Sequence, residues 1–199
     1  MPEKLTALEA VRAVRSTRPE WSEAFVAFAP WLLDRETEFE GGHWGDFRFV
    51  RWEKVPGDAG GLTKFGSDQR SHPSANIYGL TVADALEIYW HSYWCAVAAD
   101  TLPEGYREII VDTRVNGGDP VRTVQRGLNK IGAGLRVDGD LGRETHKAML
   151  RYGKRGWKVC IDVRRDRFFR LAKTPEHRKF LNGWLARMDL LERYITTSF

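Results

Sequence analysis

Helical spacing of apolar residues is the feature that most limits how this chain can fold. After residue 81, apolar positions recur every three or four residues, which places them on one face of a helix. Three stretches are therefore predicted to be helical and to bury that face. Their apolar positions are Val82, Ala85, Leu86, Tyr89 and Tyr93 in the first, Val121, Val124 and Leu128 in the second, and Phe180, Trp184, Met188 and Leu191 in the third.

Two more helices are predicted before residue 41. The first covers residues 5–15, and residues 1–18 are expected to form an amino-terminal helical extension. The second is predicted to begin with Pro19 near its first position and to bury the side that carries Trp21 and Phe25. It ends at Glu40, because Gly41-Gly42 favours termination. Glu40 is thus expected at the carboxyl end of a helix.

One segment between these helices favours strands. Residues 46–53 are rich in aromatic and β-favouring residues, the turn formers Pro56-Gly57-Asp58 follow, and a second run covers residues 61–66. This order predicts a small β-hairpin and an α+β fold that is mostly helical. Residues 19–199 are expected to form one domain, because no repeat or linker divides them.

Composition limits the possible partners. The chain has 31 basic and 27 acidic residues, a net charge of +4 and a sequence pI of about 9.1. A nucleic-acid partner is not expected, because acidic residues interrupt the basic stripe of the last helices. Those residues are Asp166, Glu176, Asp189 and Glu192. Cys95 and Cys160 lack metal-ligand spacing and are expected to be ordinary thiols.

Glu40 has the properties of a general acid. Glycoside hydrolysis needs a carboxylic acid that stays protonated near neutral pH, and usually a second carboxylate. The negative end of a helix dipole would raise the pKa of Glu40, as would desolvation by aromatic neighbours. Gly41 and Gly42 would leave room for a sugar ring. The alternative is that Glu40 is a solvated residue at a helix end.

An ordered set of motifs decides between these alternatives. The chain resembles glycoside hydrolase family 108, whose members are N-acetylmuramidases with a lysozyme-like fold, over about residues 36 to 190. The resemblance is carried by Phe39-Glu40-Gly41-Gly42, residues 58–66, Ile88-Tyr89-Trp90-His91-Ser92-Tyr93-Trp94, Val115-Asn116-Gly117-Gly118, residues 125–129, residues 137–142 and residues 180–187. It implies that Glu40 is catalytic and that residues 19–199 form a lysozyme-like catalytic domain.

The resemblance also suggests partners for Glu40. Asp58 and Thr63 are similar to the Asp and Thr on the β-hairpin of phage-type lysozymes, which organise the water and the developing positive charge. An Asp before two glycines is also a common turn former, so a structural role of Asp58 is the alternative. The segment before it is longer than expected of the family and supplies Asp46 and Glu53 as rival second carboxylates, and Ser67 replaces the usual apolar residue. A separation of roughly 6.5–9.5 Å between the carboxyl groups is expected, which would favour inversion.

Four residues are candidates for substrate binding: Trp44, Trp52, Tyr78 and Asn116. Trp44 and Trp52 could stack on sugar faces, although aromatic residues of a hairpin are often half-buried packing. Asn116 could donate to an acetamido group or cap the following helix. Residues 116–152 resemble a small peptidoglycan-binding fold and are expected to be part of the catalytic globule. Asp138-Gly139-Asp140 lacks the later ligands of a calcium loop, so no metal or other cofactor is expected.

The sequence therefore predicts a lysozyme that cleaves the β-1,4 bond between N-acetylmuramic acid and N-acetylglucosamine. A lytic transglycosylase and a non-catalytic peptidoglycan-binding protein are the alternatives. A secretory signal is not expected, because the first residues lead into a charged amphipathic stretch. The longest apolar run, residues 25–33, is far shorter than the roughly 20 residues that span a bilayer. We expect a monomer that is synthesised in the cytoplasm and reaches the cell wall after holin-type or other release.

Overall fold

The computed structural model describes residues 5–39, 42–43, 53–54 and 61–199. These belong to two compact units, residues 1–96 and 97–199. The first unit contains helices α1 (Ala7–Arg15), α2 (Glu23–Glu36) and α3 (Val82–Ile88), with five short strands between α2 and α3. The second contains helices α4 (Tyr106–Val115), α5 (Pro120–Lys130), α6 (Arg143–Leu171), α7 (Pro175–Arg178) and α8 (Leu181–Ser198).

Side-chain caps set the starts of the first two helices. Thr6 and Glu9 form a capping box, in which the Glu9 carboxylate accepts from the Thr6 backbone N–H at 2.8 Å. Helix α2 begins after Ser22, whose hydroxyl accepts from the Phe25 N–H at 3.2 Å. The prediction that Pro19 occupies the first position of this helix is therefore wrong. A capping hydroxyl three residues before the helix's third amide is a stronger local signal than the proline.

The end of α2 differs from the prediction as well. The helix ends at Glu36, and the Thr37 hydroxyl donates to the Leu33 carbonyl at 2.6 Å. Strand β1 (Glu38–Phe39) follows and pairs antiparallel with β2 (Gly42–His43), with Phe39 opposite Gly42. Placing Glu40 at a helix end was wrong, because strand pairing begins two residues after the helix. The dipole of α2 is therefore not expected to raise the pKa of Glu40, since that effect is confined to the last turn of a helix.

A three-stranded antiparallel sheet follows, and it confirms the predicted hairpin. Strand β3 (Glu53–Lys54) pairs with β4 (Leu62–Lys64), which pairs in turn with β5 (Ser67–Asp68). Strand β5 was not predicted, because two residues are too few to show an alternating pattern.

Aromatic side chains form the core of the first unit. A π-helical stretch, Tyr89–Trp94, continues α3 and turns Trp90 and Trp94 inward. The Phe25 ring on α2 lies 5.0 Å from the Trp90 ring and 5.4 Å from the Trp94 ring in edge-to-face contacts. Trp21 and Phe25 are fully buried, as the helical spacing predicted.

The second unit is helical, and two short 3₁₀ turns, Cys95–Val97 and Ala99–Thr101, precede α4. Helices α5 and α6 pack closely at Gly127, where a Cβ would lie only 2.7 Å from the Cys160 sulfur. Helix α6 is broken at Gly153, which has φ 45° and ψ −136°. The Tyr106 hydroxyl on α4 donates to the Gly153 carbonyl at 3.1 Å, so this carbonyl has a hydrogen-bond partner at the break in the helix.

A buried ion cluster joins three helices of this unit. Asp112 on α4 is fully buried and accepts hydrogen bonds from Arg164 on α6 and from Arg187 Nε on α8, the latter at 2.8 Å. Arg187 Nη2 lies 2.7 Å from the same carboxylate oxygen and completes the ion pair. Desolvation alone would raise the pKa of Asp112, but the charges of Arg187 and Arg164 outweigh it and hold that pKa below its ordinary value. The carboxylate is therefore ionised and holds α4, α6 and α8 together.

The fold class is confirmed as α+β and mostly helical. The division into an extension (residues 1–18) and one domain (residues 19–199) stays a prediction, although α1 buries Ala10 and Val11 in the first unit. Over the part of the chain that the structure describes, no helix combines the length and apolarity that crossing a membrane requires.

Candidate active site

The predicted site is only partly covered by the structure. Glu40, Asp58, Asp46, Trp44 and Trp52 lie outside the described residues, and Glu53 is described through its backbone pairing. Among the candidates, Thr63 and Tyr78 lie in the first unit and Asn116 in the second.

Thr63 occupies the central strand of the sheet. Its backbone is paired with Glu53 on one side and with Asp68 on the other, and its side chain is half-buried. A residue in the middle of three strands is held from both edges, which restricts its movement more than an edge position would. Thr63 is thus a well-positioned hydroxyl on the predicted hairpin.

The turn after β4 is a two-residue loop, Phe65–Gly66, with φ values of 49° and 66°. Two positive φ angles are characteristic of a type I′ turn, which suits the twist of a hairpin but is unfavourable for a residue as bulky as phenylalanine. Phe65 is compensated by burial of its ring and by a hydrogen bond of 2.6 Å that its carbonyl accepts from the Tyr89 hydroxyl. The π-helical stretch therefore anchors this turn.

Helix α2 contacts the same turn through its last residue. A Cβ at Gly66 would lie 2.5 Å from Glu36 Oε2 and 2.7 Å from Glu36 Cβ, so only glycine fits against this side chain. The end of α2, from which the chain continues to Glu40 four residues later, is thus fixed against the hairpin that carries Thr63. Sequence reasoning did not single out Glu36 or Tyr89, since their roles depend on contacts between distant segments.

Asp68 is a carboxylate of this region that sequence reasoning missed. It lies opposite Thr63 in the strand register, and its Oδ1 accepts from the backbone N–H groups of Arg70 at 3.0 Å and Ser71 at 2.9 Å. Desolvation by burial would raise the pKa of Asp68, but hydrogen bonds from Ser71 and Arg70 prevail and lower it. An ionised carboxylate is unsuited to donate a proton, so Asp68 is not a candidate general acid, and its hydrogen bonds cap the turn after β5.

Tyr78 is 65% exposed, as a side chain that stacks on a sugar must be. Tyr78 lies two residues after Asn76, which lines a cavity of about 350 Å³ together with Asp84 and Glu87. Asp84 is engaged in the capping box of α3, and Glu87 pairs with Arg18 and with His91. These carboxylates stabilise the fold and leave Tyr78 as the candidate sugar contact here.

Asn116 follows α4 directly, and the next helix is capped by Asp119, whose Oδ1 accepts from the Arg122 N–H at 3.0 Å. The alternative role of Asn116 as a cap for α5 is therefore wrong.

Gln125 organises the loop between α5 and α6. Its side-chain nitrogen donates to the Asp138 carboxylate at 2.8 Å and to the Asp140 carbonyl at 3.0 Å, and its oxygen accepts from the Gly139 N–H at 3.0 Å. The loop borders an open cleft of about 430 Å³ whose walls include Arg136 and Glu144. The Asp138 side chain is thereby used to hold the loop.

Comparison with known families finds matches for two consecutive segments of the chain. Residues 37–118 match the model of the family described as glycosyl hydrolase 108, a stretch that holds the five strands seen in the described residues, together with α3 and α4. The chain contains a family 108 glycosidase domain. Residues 119–189 match the family described as "Predicted Peptidoglycan domain". A glycosidase domain followed by a peptidoglycan domain identifies a peptidoglycan hydrolase, as the sequence motifs predicted.

A solved structure shows the same fold. SagA from Brucella abortus superposes with a TM-score of 0.66 at 22% sequence identity, covering 87% of this chain and 94% of that one. No curated protein matches the chain.

The glycosidase domain begins next to the α2–hairpin contact. Its matched region starts at residue 37, one residue after Glu36, so α1 and α2 lie before it. The peptidoglycan domain contains the Gln125 loop and extends to residue 189, beyond the segment 116–152 that the sequence indicated.

Proposed function

We propose that this peptidoglycan hydrolase is an N-acetylmuramidase that cleaves the β-1,4 bond between N-acetylmuramic acid and N-acetylglucosamine, with Glu40 as general acid. The observation that carries the proposal is the match of residues 37–118 to the glycosidase family, which includes the Glu40-Gly41-Gly42 motif. The contact of Glu36 with Gly66 supports it, because it holds the segment leading to Glu40 against the strand that carries Thr63.

In this proposal, Glu40 protonates the glycosidic oxygen as the bond breaks. Asp58 orients the attacking water or stabilises the positive charge that develops on the sugar ring, and Thr63 holds that water from the central strand. Tyr78 offers an exposed ring for a sugar face, and Trp44 and Trp52 are proposed to do the same. The attacking water loses one proton as its bond to the sugar forms, and that proton passes to Asp58 or to solvent, from which Glu40 is reprotonated for the next cycle.

Digestion of purified sacculi tests the proposal. Glu40→Gln should lose at least about a hundredfold in turbidity-clearing rate, the lower range for removal of a general acid. Glu23→Gln is the matched control, because Glu23 lies on α2 with a side chain that is 87% exposed. Glu36→Gln tests the rival carboxylate at the end of α2. Near-wild-type clearing by Glu40→Gln would contradict the proposal, most directly if Glu36→Gln were the inactive variant.

Mass spectrometry of the products identifies the reaction. Muramidase action gives fragments with reducing N-acetylmuramic acid ends, whereas a lytic transglycosylase would give anhydro ends 18 Da lighter, by the loss of one water. Binding to sacculi with no soluble fragments would indicate a non-catalytic wall-binding protein. We also propose that the protein acts as a monomer and reaches the wall by holin-type or other release.

A further inference from the structure

The segment from the last residues of α6 to the residue before α8 carries a net charge equal to that of the whole chain. Residues 167–180 contain five basic residues and one acidic residue, a net of +4, and the complete sequence also has a net charge of +4. The formal charges of all other residues therefore sum to zero. We call residues 167–180 the basic tip; its basic residues are Arg167, Arg170, Lys173, Arg178 and Lys179, and its acidic residue is Glu176.

Three of the four acidic residues that interrupt this region in the sequence form salt bridges with residues outside the tip; the fourth, Glu176, belongs to the tip. Asp166 pairs with Lys130 at 2.7 Å, and Arg165 pairs with Asp189 at 2.6 Å and with Glu192 at 2.7 Å. In sequence they break a basic stripe, but in the fold their salt bridges are made to residues outside the tip, and Asp166 also interacts electrostatically with one tip residue, Arg170.

The cations of the basic tip are correspondingly available. Arg170, Lys173, Arg178 and Lys179 are all exposed, and within the described residues none of them forms a salt bridge. Burial and then the charge of Arg170 lower the pKa of Arg167, so the tip is also internally repulsive. Repulsion of this kind is relieved by an anionic surface.

Aromatic rings are exposed among these charges. Phe169 is 52% exposed and Phe180 is 46% exposed. Phe180 lies 5.7 Å from the Trp184 ring, which stacks on the buried Phe168 ring at 5.0 Å and an interplanar angle of 22°. Phe180 therefore packs on one side against the stacked Trp184 and Phe168 rings and exposes its other side. The Lys179 ammonium lies 4.9 Å from the centroid of the Phe180 ring.

We infer that the basic tip binds peripherally to the surface of an anionic phospholipid bilayer. Lysine and arginine side chains interact with anionic headgroups, while phenylalanine rings enter the boundary between headgroups and acyl chains. A soluble polyanion would use the four exposed cations and leave Phe169 and Phe180 in water, so exposed rings among the cations favour the bilayer. The binding is peripheral, since α7 has only four residues and lies at the end of a helical hairpin.

Flotation of the full chain with lipid vesicles tests this inference. Vesicles of equal parts phosphatidylglycerol and phosphatidylcholine should carry the protein, pure phosphatidylcholine vesicles should not, and high salt should release it. Lys173→Gln with Arg178→Gln should weaken partition about thirtyfold, at roughly fivefold for each cation. Phe169→Gln with Phe180→Gln should weaken it as well.

Matched controls lie on the other half of α6. Arg151→Gln with Arg155→Gln removes two exposed cations outside the tip, and Leu150→Gln removes an apolar side chain that is 64% exposed. These variants should bind as the wild type does, and circular dichroism should show every variant folded.

Three results would overturn the inference: no binding of the wild type to phosphatidylglycerol vesicles, equal losses in the controls, or full binding by the double phenylalanine variant. The last result would mean that the tip recognises polyanions by charge alone. The vesicles contain no peptidoglycan, so these outcomes are independent of whether the chain cleaves glycan strands.

Discussion

Asp112→Asn should destabilise the protein more than any other change of one charge discussed in this article. The substitution keeps the shape of the side chain but removes the negative charge that pairs with both Arg164 and Arg187, which lie on helices packed against α4. The side chains of Arg164 and Arg187 are 2% and 12% exposed, so water cannot replace the lost partner. Breaking a buried pair in this way costs about 3–5 kcal/mol. For a chain of 150–250 residues this lowers Tm by about 6–20 °C.

Urea unfolding followed by tryptophan fluorescence measures the loss. The matched control is Asp166→Asn, because the Asp166–Lys130 pair has a similar separation of 2.7 Å but side chains about half exposed. An exposed pair contributes about 0.2–1 kcal/mol. If Asp112→Asn cost no more than Asp166→Asn, the reasoning from burial would be refuted. Replacing Asp112, Arg164 and Arg187 together by apolar residues should be less damaging than Asp112→Asn alone.

The effect should also depend on pH in a defined direction. The pKa of Asp112 is lowered in the folded protein, whereas an unfolded aspartate has a pKa of about 3.9. The stabilisation is therefore complete above about pH 3.9 and is lost as the pH falls through the folded pKa. The difference between wild type and Asp112→Asn should be constant near neutrality and shrink below about pH 3.9. A difference that grew on acidification would contradict an ionised Asp112.

Three further predictions concern the hairpin and its surroundings. Gly66→Ala should lower Tm and sacculus clearing more than Gly117→Ala does: both residues have positive φ, which costs about 1–2 kcal/mol for alanine, but a Cβ at Gly117 meets nothing within 4 Å whereas one at Gly66 meets Glu36. Equal losses in thermal unfolding would show that the Glu36 contact is unimportant. Ser67→Ala should raise the free energy of unfolding by roughly 1 kcal/mol, because the Ser67 hydroxyl is buried and has no hydrogen-bond partner among the described residues, and chemical denaturation would reveal any loss instead. Asp58→Asn should reduce sacculus clearing by tens-fold or more, while Asp46→Asn and Glu53→Gln stay within a few-fold; full activity of Asp58→Asn would remove it from the proposed site.

The sequence predicted the long elements of the fold correctly. Val124 and Leu128 on α5 and Met188 and Leu191 on α8 are fully buried, because a helical period repeated over several turns leaves one solution for the apolar face. The expectation that Phe180 lies on that buried face was wrong: Phe180 precedes the first turn of α8 and is 46% exposed. The hairpin between β3 and β4 was also predictable, since turn formers separate two β-favouring runs.

Short-range signals were less reliable where tertiary contacts decide the structure. Gly41 and Gly42 looked like a helix stop, yet Gly42 belongs to a strand paired with Phe39. The break of α6 at Gly153 is stabilised by the hydroxyl of Tyr106, which lies 47 residues away in the sequence. A local pattern carries no information about such a partner.

The same limitation applies to the active site. Thr63 could be selected from a motif, but the residues that fix its hairpin, Glu36 and Tyr89, act through contacts with Gly66 and the Phe65 carbonyl. Nothing in the sequence near either residue indicates those contacts. Asp68 is a comparable case, since only the strand register places it opposite Thr63.

The concentration of charge in the basic tip has a consequence for the protein in concentrated solution. Because the charges of the other residues cancel, net repulsion between neighbouring molecules originates from one short turn. Neutralising that turn would bring the isoelectric point close to neutrality, where proteins lose colloidal stability and precipitate. Salt screens charges beyond about 8 Å at physiological ionic strength, so the protein should tolerate crowding best in dilute buffer. A change to this turn thus alters solubility even where it leaves the fold intact.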